Sequence, residues 1–398
     1  MAASDRRSGE AARLPLVYVV AAEESGDRLG AALMKAIRAQ AGPEVVFEGV
    51  GGREMAARGL RSLFPIEDMA IMGLGLVTAI PRLVRRMRKT AASIVSMRPD
   101  VLVLIDSPDF THRVARSVRR AAPAIPIVNY VSPSVWAWRP GRARSMRSYV
   151  DHVLALLPFE PEAHVRLGGP PCTYVGHSAI ERLAEFRPSA QEATRRSIDP
   201  PILLVLPGSR TGEIRRLTGV FGEAIGVLQA RCGPFDLVLP TLPHLAGQIA
   251  EATAAWPVRP RILVDHVEKQ AALRTARAAL AKSGTVTLEL ALAGVPMVVA
   301  YKVSLVEEIV ARLSLDVPSI VLANLVLGEN VVPEILQRDC TAPNLANKIE
   351  PLLHDTPQRR RQIDAFARLD TIMEIGKAIP SQRAAEVVLR YAAQGRVA

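Results

Sequence analysis

Residues 101–110 read VLVLIDSPDF. Five apolar residues in a row, stopped by Asp106-Ser107-Pro108-Asp109, predict a strand buried on both faces, because a half-exposed strand would alternate. A helical pattern follows through Arg113–Ala122. Strand, short polar loop and helix make the repeating unit of a parallel sheet, and this unit recurs along the chain. Strands are expected at Val17–Ala21, Val45–Gly49, Val101–Ile105, Ile127–Val131 and His152–Leu156 in the first half. The second half offers Ile202–Leu206, Leu237–Pro240, Ile262–Val264, Ala278–Ala281 and Met297–Tyr301. Helical stretches such as Gly26–Gln40 and Thr211–Ala230 lie between them. The predicted fold class is α/β, with two doubly wound Rossmann-like domains facing one another across a cleft.

The boundary is expected in the polar stretch Glu181–Asp199, ahead of Pro200 and Pro201, where strand signals pause. That divides the chain into domains of 1–185 and 186–360 and leaves a helical tail over 361–398. Disorder is excluded by a hydrophobic content of 49%. The net charge of +11 is regional: Arg82–Arg147 holds fourteen basic residues against Asp100, Asp106 and Asp109, so the rest of the chain balances. Cys172, Cys232 and Cys340 are widely spaced, which suits a reducing cytoplasmic compartment. Met1–Arg13 is polar, so no secretory leader is expected. The longest uncharged stretch, Ala121–Trp138, carries Pro123, Pro126 and Pro133 and cannot span a bilayer as one helix.

In a doubly wound fold, ligands meet the carboxyl ends of the strands. Asp106 stands at such an end and is a candidate general base; the alternative is that it braces the turn while Asp109 caps a helix starting near Thr111. His112 reads as a solvated helix residue among arginines. The turn Glu23-Glu24-Ser25-Gly26-Asp27 after the first strand has two readings, ligand contact or capping by Ser25 or Asp27. The loop Ser132-Pro133-Ser134-Val135-Trp136-Ala137-Trp138-Arg139 holds two of three tryptophans, for sugar stacking, an amphipathic interface or ordinary packing. Met69–Lys89 is apolar at Ile71, Met72, Leu74, Leu76, Val77 and Ile80, then basic from Arg82. It is either a membrane-surface segment or a helix with a solvated basic face.

In the second half, Pro207-Gly208-Ser209-Arg210 follows a strand, with Glu213 beyond it. Glycine admits an anion to the backbone, the next helix offers free N–H groups, and Arg210 adds a forked donor. Lys282-Ser283-Gly284-Thr285, with Glu289 one turn on, repeats that logic and places a carboxylate for ribose hydroxyls. The pair describes a nucleotide-diphosphate site. No Asp-x-Asp, HExxH or His/Cys cluster occurs, so neither a metal nor another cofactor is expected.

These stretches resemble the lipid A disaccharide synthase family of GT-B type glycosyltransferases along almost the whole chain. The matching blocks are EESGD (23–27), FEGVGG (47–52), EDMAIMG (67–73), PDVLVLIDSPDF (99–110) and YVSPSVWAWRPGR (130–142). They continue with LALLPFEPE (154–162), VGH (175–177), LPGSRTGEI (206–214), SGTVTLELALAGVPMVVAYKVS (283–304) and ANLVLGENVVPEILQ (323–337). Ala22 stands where the family usually has Gly, Ala323 where it has Pro, and Arg53-Glu54 where it has Pro-Arg.

The resemblance implies transfer of a diacylated glucosamine from UDP to 2,3-diacylglucosamine 1-phosphate, in a β(1→6) linkage with release of UDP. It implies Asp106 as the aspartate needed for activity, in an inverting, metal-independent reaction. Ser209, Arg210, Ser283, Gly284, Thr285, Glu289 and Asn324 would hold UDP. Glu23, Ser25, Asp27 and the loop with Ser134 and Trp136 would face the acceptor. The tail helix would return to the first domain. The implied partners are the UDP-diacylglucosamine donor, the phosphorylated diacylglucosamine acceptor and an anionic membrane surface at the inner face of the cytoplasmic membrane. A second copy of the chain is kept as a candidate partner. Nucleic acid is not expected, since the basic window carries no recognised binding motif.

Overall fold

A computed structural model describes residues 15–66, 76–304, 307–308 and 317–395, with the backbone alone at 76–80. The chain divides into two compact units, one of residues 1–178 with 378–398 and one of residues 179–377. Among the described residues, each holds one parallel sheet. In the first unit the strands are β1 (Leu16–Ala21), β2 (Val46–Val50), β3 (Arg61–Ser62), β4 (Val101–Ile105), β5 (Ile127–Tyr130), β6 (His152–Ala155) and β7 (Cys172–Tyr174). Their order across the sheet is β3-β2-β1-β4-β5-β6-β7. In the second unit, β8 (Ile202–Leu206), β9 (Asp236–Pro240), β10 (Arg261–Leu263), β11 (Ala278–Lys282), β12 (Met297–Tyr301) and β13 (Glu334–Leu336) run in the order β10-β9-β8-β11-β12-β13. The ten expected strands are present within a residue or so, and the α/β doubly wound class is the observed one. The short edge strands β3, β7 and β13 were not expected.

Apolar runs form these strands because both faces of each sheet are covered. Val17, Val19, Ala21, Val101, Val103 and Ile105 point into a core shared with helices Glu24–Ala41 and Pro380–Gly395. Tyr18, Val20, Leu102 and Leu104 point the other way, against helices Leu76–Met97 and Pro108–Ala121. The chain's last helix therefore belongs to the first unit, while the helix before it, Pro357–Ile372, belongs to the second. In the second unit Leu203, Val205, Leu237, Leu239, Ala278 and Leu280 pack under helices Thr211–Cys232 and Ala342–Leu353. Thirteen of the fourteen basic residues of the 82–147 window lie on Leu76–Met97, on Pro108–Ala121 and in residues 139–147, and Arg98 directly follows the first of these. Those segments send Met87, Ala91, Phe110, Val114 and Met146 into one cluster, so they cover the same face of the first sheet.

Each sheet reverses its winding once, between β1 and β4 and between β8 and β11. The carboxyl ends at such a switch point diverge and leave a crevice where loops present their groups.

Candidate active site

The first switch point carries Asp106. β4 ends at Ile105, and the next two residues both enter the left-handed region, Asp106 at φ 52° and Ser107 at φ 45°. Two non-glycine residues there cost on the order of 1–3 kcal/mol each and persist only where the surroundings hold them. Local hydrogen bonds do so. Ser107 N–H donates to Asp106 Oδ1 at 2.8 Å, and the buried Thr111 hydroxyl donates to the carbonyls of Asp106 at 2.7 Å and Ser107 at 3.1 Å. The Asp106 amide donates to the Tyr130 carbonyl at 3.0 Å. The turn leaves the Asp106 carboxylate half-buried. Burial raises its pKa above the ordinary aspartate range, against the bond from the Ser107 amide, and nearby Glu23 raises it further. The Ser107 hydroxyl donates to Glu23 Oε1 at 3.0 Å and ties the β1 and β4 ends together. The helix starts at Pro108, with Ser107 as its N-cap, so the exposed Asp109 lies inside the first turn and is not the cap.

Glu23 and Ser25 are exposed beside this turn, but Asp27 is not. It is 4% exposed, and its carboxylate accepts from the amides of Gly52 at 2.7 Å, Glu54 at 2.9 Å and Met55 at 3.1 Å. Asp27 thus caps the short helix Arg53–Ala56 and not its own helix. Gly52 permits the approach, since a Cβ there would lie 2.7 Å from Asp27 Oδ2.

The tryptophan loop begins with Val131 at φ 78°, a strained value for a β-branched residue. Ser134 is exposed, whereas Trp136 is half-buried and meets the edge of Phe159, with centroids 5.1 Å apart at 85°. The Trp136 indole N–H donates to Glu160 Oε1 at 3.1 Å. Glu160 is 3% exposed, and its other oxygen accepts from the amides of Leu156 and Leu157 at 3.0 and 2.9 Å. Burial pushes its carboxyl up to about 7, and those hydrogen bonds temper the shift. The fully buried His164 pairs through Nε2 with the Ser132 hydroxyl at 2.9 Å. These contacts fix the position of Trp136 and leave part of it accessible. His112 is also buried, contrary to the solvated reading: Tyr149 OH lies 3.2 Å from its Nδ1, and desolvation lowers its pKa to about 4. The sequence neighbourhood of His112 is basic, but the helix turns that residue inward.

At the second switch point, β8 runs into Gly208 at φ 121°, then Ser209 and Arg210, the N-cap of helix Thr211–Cys232. Ser209 and Arg210 are exposed. Glu213, on the helix's first turn, reaches back between them. Its Oε2 accepts from the Ser209 amide at 3.2 Å, and its Oε1 lies 2.9 Å from Lys282 Nζ and 3.6 Å from Arg210 Nη1. Lys282 ends β11, so the two turns read from sequence as anion sites do adjoin. Ser283 is nearly buried and donates to the Ile320 carbonyl at 2.8 Å, while Gly284 and Thr285 stay accessible before helix Val286–Leu292. Glu289 is partly exposed, 3.8 Å from Arg182. Asn324 is buried. Its side chain donates to the Val332 carbonyl and Glu334 and accepts from the amides of Val331 and Val332, so it braces the 329–334 loop.

Four residues that contact or adjoin the candidate positions were not singled out from sequence: Ser107, Glu160, Lys282 and Arg182. Glu160 stood within the quoted LALLPFEPE block, as an acid just past a strand between two prolines, and that was its one available signal. The apolar part of the Met69–Lys89 segment, Ile71–Ile80, falls at residues whose side chains lie outside the described set. The basic part is described: Arg85 and Arg88 are exposed, and the Arg86 guanidinium stacks 5.0 Å over Phe64. No helix among the described residues is long and apolar enough to cross a membrane.

Comparison with known proteins bears on both switch points. The S. aureus MnaA-UDP co-structure superposes with a TM-score of 0.63 at 12% identity, covering 96% of this chain and 98% of that one. The UDP-GlcNAc 2-epimerase from Neisseria meningitidis bound to UDP-GlcNAc gives 0.61 at 12%, covering 95% and 100%. Identities this low show a shared fold alone. The lipid-A-disaccharide synthase of Nitrobacter winogradskyi is 59% identical over 381 residues, 96% of each chain. That of Bradyrhizobium diazoefficiens is 57% identical over 381 residues, 96% of this chain and 97% of its own. The family model for lipid-A-disaccharide synthetase matches residues 17–388. With the match running through both switch points, the chain belongs to the lipid-A-disaccharide synthase family of glycosyltransferases.

Proposed function

We propose that this chain joins a UDP-linked 2,3-diacylglucosamine to 2,3-diacylglucosamine 1-phosphate in a β(1→6) linkage and releases UDP, by a single inverting, metal-independent displacement. The observation that carries this reading is the half-buried Asp106 carboxylate at the end of β4, with its pKa raised by burial and by Glu23. A carboxylate above its ordinary range is a stronger base and better matched to a hydroxyl proton. In the proposed step the acceptor's 6-oxygen attacks the anomeric carbon as Asp106 takes its proton. The bond from that carbon to the phosphate oxygen breaks, and the electron pair leaves with UDP. One displacement at one carbon inverts it.

Arg210, Lys282 and the amides around Gly208 are cationic or N–H donors, as needed to stabilise charge developing on a leaving diphosphate. Glu289 is assigned to the ribose, with Ser283–Thr285 alongside. Asn324 supports the wall of that site by bracing residues 329–334. Glu23 and Ser25, with Ser134 and the Trp136 loop, are assigned to the acceptor side, and Asp27 holds their framework. The basic layer of the first unit is assigned to an anionic membrane surface and to the acceptor phosphate, at the inner face of the cytoplasmic membrane.

The test is Asp106→Asn, assayed with synthetic acylated donor and acceptor and with product identified by mass spectrometry. A base contributes on the order of 10²–10⁴ in rate, so turnover should fall by at least that much while UDP affinity stays unchanged. Near-normal turnover would remove Asp106 as the base. Product formation that survives a chelator is the outcome expected of a metal-independent reaction.

A further inference from the structure

We infer that Glu213 is an internal competitor for the diphosphate site and sets how tightly the second unit holds UDP. This rests on the UDP reading above. The Glu213 carboxylate draws on the donors that a diphosphate needs: the Ser209 amide at 3.2 Å, Lys282 Nζ at 2.9 Å and Arg210 Nη1 at 3.6 Å. Side-chain exposure of 14% for Glu213 and 16% for Lys282 leaves little water to spread that contact. The loop is shaped around the carboxylate, because a Cβ at Gly208 would stand 2.4 Å from Glu213 Oε2. Phosphate oxygens approaching the Gly208–Arg210 backbone meet a carboxylate already there, and the same N–H and ammonium protons cannot serve both anions at full strength. Glu213 must turn aside, or repel the phosphates from where it stands. Either course weakens UDP. A weakened hold on UDP speeds release of the product, a step that limits turnover in many enzymes.

The simpler reading is a helix cap, since a Glu at the third helical position often reaches back to free amides. Glu213→Gln separates the two. Its amide oxygen can still accept from Ser209 N–H, so the cap survives while the charge is gone. Removing one negative charge a few ångströms from a diphosphate at a partly exposed site is worth on the order of tenfold in affinity. UDP, UMP and uridine are titrated calorimetrically into the full-length wild type and Glu213→Gln, with melting curves to verify folding. The expected result is UDP about tenfold tighter in the variant, UMP tightened less and uridine unchanged. UDP bound equally or more weakly by the folded variant would overturn the competition. In the wild-type background, Lys282→Met should weaken UDP, and unchanged affinity there would overturn the sharing of Lys282. Wild type failing to bind UDP would bring down the UDP reading itself and this inference with it, an outcome distinct from UDP binding that Glu213→Gln fails to tighten.

Discussion

Asp27 offers the sharpest separation between a ligand group and a framework group. Its side chain is 4% exposed and accepts three backbone hydrogen bonds, one of them buried and two partly so. Asp27→Ala removes all three acceptor contacts at once. Loss of an N-cap costs about 1 kcal/mol, and a buried amide left without a partner costs about 1–3 kcal/mol. The two partly exposed amides recover water, so the total is about 3 kcal/mol rather than three full penalties. For a unit of roughly 200 residues, that corresponds to a Tm lower by about 6–12 °C. The assay is thermal unfolding of wild type, Asp27→Ala and Asp27→Asn, with UDP affinity measured in each. Asp27→Asn keeps one oxygen and turns an NH₂ toward an amide, so it should fall between the other two. UDP affinity should not change, since Asp27 lies in the first unit. An unchanged Tm together with lost transfer would refute the framework role and return Asp27 to the substrate.

Two further outcomes follow from the electrostatics. Glu160 has its pKa raised by burial to about 7, so the native state binds a proton that the unfolded chain releases near its ordinary value. Its contribution is therefore greatest at low pH and declines as pH rises through that window, by up to about 3 kcal/mol. Glu160→Gln should abolish this slope. Denaturant unfolding from pH 4.5 to 7.5, taken as wild type minus variant, measures it, and parallel profiles would contradict the assignment. Replacing Arg85, Arg86 and Arg88 together by Gln should weaken binding to anionic vesicles before it alters UDP affinity. Unaltered sedimentation with vesicles would return that cluster to a solvated face.

Most of the strands legible in the sequence were those buried on both faces, the edge strand β10 being the exception. β1, β4 and β8 are continuous apolar runs, as is β11 up to its closing Lys282, and burial on both sides requires that composition wherever the chain leads. β3 with both residues exposed, β7 half-buried and β13 with Glu334 at its head sit at sheet edges. One open side lets polar residues in, and the run that signals a strand is lost. The candidate site residues followed a similar rule. Asp106, Ser209 and Arg210 were legible because a strand end followed by a tight turn is a local pattern. Lys282 and Glu213 lie in separate motifs, and their 2.9 Å pairing joins the end of β11 to the helix after β8, 69 positions apart in the chain.

Asp27 and His112 mark where local reading stops. A short-range rule assigns an Asp in a first helical turn to its own helix, yet Asp27 caps a helix that begins 26 residues later. His112 has arginine on its C-terminal side and reads as solvated, but Tyr149 and burial decide its charge. By itself, the sequence determined two doubly wound domains, a basic first unit and the strand-end turns proposed to carry the chemistry, because each follows from neighbours along the chain. Tertiary structure decided which carboxylates are free to act. A carboxylate's role depends on which backbone amides and cations arrive from distant segments: three amides hold Asp27, two amides and an indole hold Glu160, and one amide with two cations holds Glu213. Asp106 has a single amide bond and a raised pKa, and so keeps an oxygen available for a proton.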